Sequence, residues 1–396
     1  MTVHEFLDML FRWVHMIAGI MWIGNSLLFN WLDRNLIRPT GAEGREGFEG
    51  EIWLVHSGGF YQVEKKLLAP HQLPPVLHWF KWQNGFTWMS GICLLIIVYY
   101  MNEGALLVDS GVSNLTPRAA ILVSAVLLVA AWFAYDFLFR FLESRPRTAT
   151  SIAITALLVI TIGLCHLFSG RAAYIHVGVL MGTLMTGNVW LRILPSQRQL
   201  IAATRAGQKQ DPVLSKRAKQ RSIHNNYMTF PLLFIMLSNH FPSTHGNELN
   251  WAILGVLTLA GAGVRHFMNI RFTYRRWLIP SLGLVVAATV ALFVMTARPT
   301  VAGSDADAAT VSFSKVSWVI SQRCVPCHSA VPTDKAFPVA PSGVMFDSPD
   351  QVRRMAARIK DRALINRTMP LSNRTGMTEE ERALLGRWVD QGARID

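Results

Sequence analysis

Cys324 and Cys327 are separated by two residues, and His328 follows directly. Two thiols at this spacing can form thioether bonds to a porphyrin, and the adjacent imidazole is then held beneath the iron as an axial ligand. The C-x-x-C-H pattern therefore predicts covalent attachment of a c-type haem. Because haem c is attached on the outer face of a bacterial-type membrane, the motif also predicts that this part of the chain is periplasmic.

A C-x-x-C pair can also form half of a zinc site. The other cysteines, Cys93 and Cys165, lie in apolar runs, so the sequence offers no second pair. Met369 lies downstream, and a methionine thioether is the usual sixth ligand of a cytochrome c. His328 and Met369 are therefore the predicted ligands of the haem c iron. The competing methionines of this region are Met345, Met355 and Met377.

The rest of the sequence has the composition of a membrane protein, because 51% of its 396 residues are hydrophobic and only 16% are charged. A membrane-spanning helix needs ~20 mainly apolar residues. The sequence predicts an all-α fold, in which an eight-helix membrane bundle precedes a small α-helical cytochrome c domain. The eight predicted spans are approximately 9–29, 83–101, 119–140, 152–168, 173–193, 228–241, 250–268 and 277–296.

The basic residues that give the formal net charge of +13 are distributed unevenly among the predicted loops. If the N-terminus is outside, the cytoplasmic loops 30–81, 140–151, 192–221 and 265–276 carry 6, 3, 8 and 4 Lys and Arg residues. The outside connections before residue 297 carry only Arg12, Arg118 and Arg171. This is the positive-inside pattern. It predicts a multi-pass protein of the bacterial inner membrane, with both termini periplasmic, and it explains the basicity without a nucleic-acid partner.

The predicted domains are a membrane oxidoreductase domain at 1–297, a linker at 298–310 and a cytochrome c domain at 311–396. The linker is predicted because its residues are small and polar. Gly19–Asn25 resembles Gly182–Asn188, which suggests a parallel 4+4 repeat within the membrane domain. The aromatic connection 53–82 is expected to lie against the cytoplasmic mouth of the bundle.

Histidines inside membrane spans are costly and are therefore candidates for function. Under the predicted topology, four of them fall in the outer half of separate helices, namely His15, His166, His176 and His240. Imidazoles from two helices can clamp a haem b between them. One or two haem b groups are therefore expected, with His15 and His176 as the leading iron ligands. The alternative is that these histidines only hydrogen-bond across helices or meet interfacial water.

Four segments carry a family resemblance: Phe11–Asn25, Leu77–Trp82, His224–Tyr227 and Ser238–Pro242. Together they resemble the bacterial membrane-bound urate oxidases of the PuuD kind, in which a multi-span domain precedes a cytochrome c domain. The resemblance covers the whole chain in that order. It implies oxidation of urate to 5-hydroxyisourate, a step of purine degradation. Electrons would pass through cytochrome c to a downstream cytochrome c or terminal oxidase, without forming hydrogen peroxide.

The first span alone also resembles bacterial protoporphyrinogen oxidase and copper-resistance proteins of the CopD kind. In those proteins a first-span histidine binds haem, which favours His15 as a haem b ligand.

Urate is a planar anion at neutral pH. Its site is expected to offer amides or arginine to the ring edges and an aromatic face for stacking. Asn225, Asn226 and Tyr227 are the predicted substrate-binding residues, although such a run can also serve helix capping and headgroup contact. Urate gives up two electrons and two protons, so a histidine would help as proton acceptor. His78 and His224 are the candidates.

Three other functions stay open at the level of sequence. A quinol- or other small-molecule:cytochrome c oxidoreductase would place its site facing lipid. A membrane-anchored electron-transfer cytochrome c without its own substrate would have no substrate pocket in the membrane domain. Porphyrin or copper handling depends on the first span alone.

We predict that the double substitution Cys324→Ala, Cys327→Ala abolishes covalent haem while the membrane domain still inserts, because both thioethers are lost. A haem-stained denaturing gel of the purified chain measures this directly. An undiminished stain in the double variant would contradict the haem c assignment.

Overall fold

The computed structural model describes residues 3–38, 47–101, 104, 106–297, 310–337 and 339–395. Nearly all of the predicted linker therefore lies outside the described residues. The chain divides into two compact units. The first comprises Met1–Leu94, Met181–Phe230 and Ala262–Leu282, and the second comprises Leu95–Leu180, Pro231–Gly261 and Gly283–Asp396. Both units are mainly helical, which confirms the predicted fold class.

All eight predicted spans are helical. The helices of this region are α1 (Val3–Asn35), α2 (Trp82–Leu95), α3 (Pro117–Phe141), α4 (Pro146–Leu167), α5 (Gly170–Gly187), α6 (Leu194–Arg205), α7 (Pro212–Leu237), α8 (Pro242–His245), α9 (Asn250–Ile270) and α10 (Leu278–Thr296). In addition, π-helical segments at Ile96–Tyr100 and Asn188–Ile193 continue α2 and α5, and short 3₁₀ turns occupy Pro70–Gln72 and Ser238–His240.

Within the described residues, six helices are long and apolar enough to cross a membrane: α1, α3, α4, the continuous helix from Gly170 to Arg205, α9 and α10. The chain is therefore a multi-pass membrane protein. The predicted spans in α2 and α7 do not meet this criterion. α2 is short without its π-helical continuation, and α7 begins with a polar, basic half.

The helix starts follow from local chemistry. The Thr116 hydroxyl accepts a hydrogen bond from the Ala119 backbone N–H at 3.4 Å, and Pro117 occupies the first position of α3. Proline suits this position because the first helical N–H groups have no partner within the helix. α4 likewise begins with Pro146.

A β-hairpin that the sequence did not predict interrupts the connection between α1 and α2. Its antiparallel strands are β1 (Phe48–His56) and β2 (Gly59–Lys66). The two turn residues, Ser57 and Gly58, both have positive φ, as a tight hairpin turn with the twist of its strands requires. The side-chain amine of Lys65 lies 3.0 Å from the carboxylate of Asp33, which ties the hairpin to α1.

The end of the same connection packs against α6. Leu77 and Trp79 line a surface pocket of about 360 Å³ together with Arg198, Ile201 and Arg205 of α6. The expectation that this connection lies at the cytoplasmic mouth of the bundle stays a prediction.

The C-terminal region forms short helices around a core that includes Val316, Ile320, Leu385 and Trp388. The Trp388 indole N–H donates to the carbonyl oxygen of Arg394 at 2.7 Å, so the buried ring has its polar atom paired. The helices are α11 (Phe313–Arg323), α12 (Pro349–Arg354), α13 (Ala356–Ile359) and α14 (Glu379–Asp390), with a π-helical segment at Lys360–Ile365 and 3₁₀ turns at Pro341–Gly343 and Leu371–Asn373.

Candidate functional site

Two buried amides link α7 to the π-helical segment that follows α5. Asn188 donates from Nδ2 to Oδ1 of Asn225 at 2.8 Å, and Asn225 donates from its own Nδ2 to the carbonyl oxygen of Met185 at 3.0 Å. Single π-helical turns inside α-helices are often found at functional sites. The predicted residue Asn225 thus lies in an interhelical hydrogen-bond network.

Next to it, Asn226 accepts two hydrogen bonds from α9. Arg265 donates from Nε to Asn226 Oδ1 at 3.0 Å, and Asn269 donates from Nδ2 to the same oxygen at 2.7 Å. The Arg265 guanidinium carbon lies 5.4 Å from the ring centroid of Phe230. We call Asn225, Asn226, Phe230, Arg265 and Asn269 the Arg265 cluster.

Arg265 is only 4% exposed, yet no Asp or Glu among the described residues forms an ion pair with it. A buried cation without a counter-charge is costly. The cost is offset if an anion binds beside it.

The Arg265 cluster also contains an unused acceptor. The side-chain oxygen of Asn269 is buried and has no hydrogen-bond partner in the described part of the chain. Close by in sequence, Tyr227 Oη lies 2.8 Å from Nδ1 of His266, and the two rings stack at a centroid distance of 6.0 Å. A cation, a free acceptor and aromatic faces suit a planar anion that carries N–H groups.

The predicted proton acceptors are placed differently. His224 is half-buried on α7, one residue before Asn225. His78 is exposed on the connection before α2, and no described contact joins it to the Arg265 cluster. Both catalytic roles stay predictions.

Arg265 and Asn269 were not predicted as site residues. A basic residue such as Arg265 at the end of a span is already explained by the positive-inside pattern. The available signal was their spacing of four residues, which places both side chains on one face of α9.

His15 of α1 lies against α2. Its Nδ1 is 2.9 Å from the carbonyl oxygen of Thr87 and 3.1 Å from the hydroxyl of Ser90. A Cβ at Gly91 would lie 3.0 Å from the His15 ring, so a larger residue there would crowd the imidazole.

His176 of α5 is 0% exposed. Its Nδ1 is 2.7 Å from the carbonyl oxygen of Ala172, and its Nε2 has no hydrogen-bond partner among the described residues. The ring packs against Phe168 and Tyr99, at centroid distances of 4.9 Å and 6.0 Å. A carbonyl that fixes the Nδ1 proton and leaves Nε2 unshared is the arrangement of a metal-ligating imidazole. His176 therefore fits the ligand role predicted for haem b.

His166 and His240, the other predicted haem b candidates, are exposed at helix ends. The His15 ring hydrogen-bonds to α2, whereas the His176 ring hydrogen-bonds within its own helix, α5. The contacts of these two histidines therefore do not show the proposed repeat. The repeat and all four ligand roles stay predictions.

His245 is a buried histidine that the sequence argument did not consider, because it lies in a short connection between two spans. It is 6% exposed, its Nε2 has no hydrogen-bond partner in the described residues, and its ring lies 6.2 Å from that of Tyr174. Burial, together with the positive charges of Arg171 and Arg362, lowers the pKa of His245 to about 4. The side chain is therefore neutral at pH 7.

The C-x-x-C-H residues also fit their predicted ligand. His328 Nδ1 is 2.9 Å from the carbonyl oxygen of Val344, which leaves Nε2 for an iron. Cys324 and Cys327 form no disulfide in the described part of the chain, so both remain available for thioether bonds to a porphyrin. In the part of the chain that the structure describes, no three His, Cys, Asp or Glu side chains are grouped to hold a metal ion, as a zinc site of this kind requires.

The predicted sixth ligand, Met369, is held through its backbone. Its N–H donates to the carbonyl oxygen of Arg362 at 3.0 Å, and its own carbonyl oxygen accepts from Arg382 Nη1 at 2.9 Å. These bonds restrain the peptide from which the thioether extends.

Long apolar helices, together with buried amides, imidazoles and Arg265, define a multi-pass helical membrane protein that contains polar sites. The sequence model described as urate oxidase N-terminal matches residues 1–297, and the chain belongs to this family. Membership confirms the resemblance seen in the sequence and supports a urate-oxidase-related oxidoreductase. A comparison with curated proteins gives no match, and neither does a comparison with solved structures.

We predict that His176→Leu lowers the content of b-type haem, because it removes His176 Nε2, a buried ring nitrogen without a hydrogen-bond partner among the described residues. The same change at an exposed histidine of β1, His56→Leu, should leave the haem content unchanged. A pyridine haemochrome spectrum of the purified chain distinguishes b- from c-type haem. Equal b-type absorbance in the two variants would show that His176 is a packing residue.

Proposed function

We propose that the chain is a membrane-bound urate oxidase that converts urate to 5-hydroxyisourate and passes the electrons to its own haem c. Membership of the urate oxidase N-terminal family supports the substrate. The structural observation that carries the proposal is Arg265, a buried cation that no acid in the described residues neutralises.

The Arg265 cluster matches the urate anion group by group. Arg265 supplies a charge-assisted hydrogen bond to a urate oxygen or deprotonated nitrogen. Asn269 Oδ1, which has no partner in the described residues, accepts a hydrogen bond from a urate N–H. Phe230 offers an aromatic face beside the cation. Because Asn226 already holds Arg265 Nε, little side-chain freedom is lost on binding.

The reaction consumes urate and water and yields 5-hydroxyisourate, two protons and two electrons. Haem, when bound, supplies the one-electron acceptor, so each urate requires two transfers. Among this chain's residues, His224 next to Asn225 is the proposed proton acceptor. Water supplies the added oxygen, and no hydrogen peroxide is formed because the electrons pass to haem and not to O2.

The proposed topology keeps both termini periplasmic, with residues 1–297 in the membrane domain and 311–396 as the cytochrome c domain. Electrons from a site near the cytoplasmic side must then cross ~30 Å of hydrocarbon. Two haem b groups in series would divide that distance. The final acceptor is a downstream cytochrome c or terminal oxidase.

The leading alternative is a quinol:cytochrome c oxidoreductase. A quinol is neutral, so its binding would leave the charge of Arg265 without a partner. The buried cation therefore favours an anionic substrate.

We predict that Arg265→Gln raises the KM for urate by roughly 10- to 100-fold, because a hydrogen bond to a charged group contributes about 1.5–3 kcal/mol. The matched control is Arg275→Gln, because Arg275 is an exposed arginine in the connection between α9 and α10. The measurement is urate-dependent reduction of haem c in membranes, followed by its absorbance. An unchanged KM with intact haem would remove Arg265 from the site.

A further inference from the structure

The turn that carries His245 touches the predicted cytochrome c domain. We call Pro242–Gly246 the His245 turn. A Cβ placed on Gly246 would lie 2.4 Å from the carbonyl oxygen of Asn366 and 2.8 Å from Cγ2 of Thr368. Two backbones can approach this closely only because residue 246 has no side chain.

The His245 turn is itself held firmly by the membrane domain. The Asn250 side chain donates to the carbonyl oxygen of His245 at 3.2 Å, and Tyr174 Oη donates to that of Thr244 at 3.3 Å. A Cβ on Gly170 would lie 1.9 Å from the His245 carbonyl oxygen. The turn is therefore fixed to the first residues of α5 and α9, and α5 also carries His176.

On the cytochrome side, the contact is made by the residues directly before Met369. Arg382 donates from Nη1 to the Met369 carbonyl oxygen at 2.9 Å. The positive charge of Arg382 also acts on Asp109, which lies in the connection between α2 and α3. Burial raises the pKa of Asp109, and a hydrogen bond from Gly111 and the charge of Arg382 oppose that rise. Close packing at the turn is thus accompanied by an electrostatic attraction between Arg382 and Asp109.

Neither side chain at the centre of the contact pairs through a hydrogen bond. Thr368 Oγ1 and His245 Nε2 are both buried without a hydrogen-bond partner among the described residues. Burying such atoms is costly, so the contact is stabilised by packing and not by these two side chains.

We propose that the His245 turn and Asp109 form the docking surface for this chain's own cytochrome c domain, seated by Asn366–Thr368. The Met369 side of that domain therefore faces the membrane domain, and haem c is reduced from that side. The electron-transfer part of this proposal rests on the proposed function, whereas the docking itself does not.

Hydrogen exchange in the full-length chain tests the docking. Gly246→Val places a side chain where the Asn366 carbonyl oxygen and Thr368 Cγ2 lie, so it should force the two segments apart. The matched control is Gly283→Val, at a glycine whose added Cβ would meet nothing within 4 Å. Mass spectrometry should find that peptides spanning residues 365–371 exchange several-fold faster in Gly246→Val and at an unchanged rate in Gly283→Val.

Equal exchange of this peptide in the two variants would overturn the docking surface. A second variant, Asp109→Asn, keeps an acceptor for the Gly111 N–H and removes only the charge. It should raise the exchange rate of the same peptide at low salt and have less effect at high salt. An unchanged exchange rate at both salt concentrations would exclude Asp109 from the surface.

The functional half is tested by urate-driven reduction of haem c in the same variants. We expect the rate to fall about tenfold in Gly246→Val and to stay within about twofold in Gly283→Val. An unchanged reduction rate in Gly246→Val, with faster exchange of the peptide, would show that the docked arrangement is not the one that transfers electrons. If urate fails to reduce haem c even in the unsubstituted chain, the proposed function fails and the exchange result stands alone.

Discussion

A polar group buried away from water must find its partner inside the protein, and this requirement organises the membrane domain. The amides of Asn188 and Asn225 bond to each other, and Asn226 receives both Arg265 and Asn269. The first bond joins α7 to the π-helical segment after α5, and the other two join α7 to α9. Hydrogen bonds as well as apolar packing therefore restrict the relative rotation of these helices. The same bonds hold the charged Arg265 side chain in a buried position.

Three of the exceptions to this requirement lie at the proposed sites. His176 Nε2, His245 Nε2 and Asn269 Oδ1 are buried without a partner among the described residues. Each lies where a ligand or a domain contact is proposed: a haem iron, the cytochrome c domain and urate. Buried polar atoms in native proteins are rarely left unpaired, so such atoms point to a group that completes the structure.

Short connections do more than join helices. The His245 turn is only a few residues long, yet it contacts α5, α9 and the residues before Met369. The hairpin of β1 and β2 is likewise tied back to α1 by Lys65 and Asp33. In both cases the connection carries contacts that its length and composition do not suggest.

Hydropathy was enough to predict the helical segments, and the resemblance of four short segments was enough to predict the family, because these signals are local to a stretch of chain. The amides of Asn225 and Asn226 were singled out in the same way, and their substrate role stays a prediction. The sequence could not show that Arg265 bonds to Asn226, that His245 is buried or that His166 and His240 are exposed. These properties depend on which face of each helix turns inward and on which distant segment meets it, and only the tertiary structure decides that.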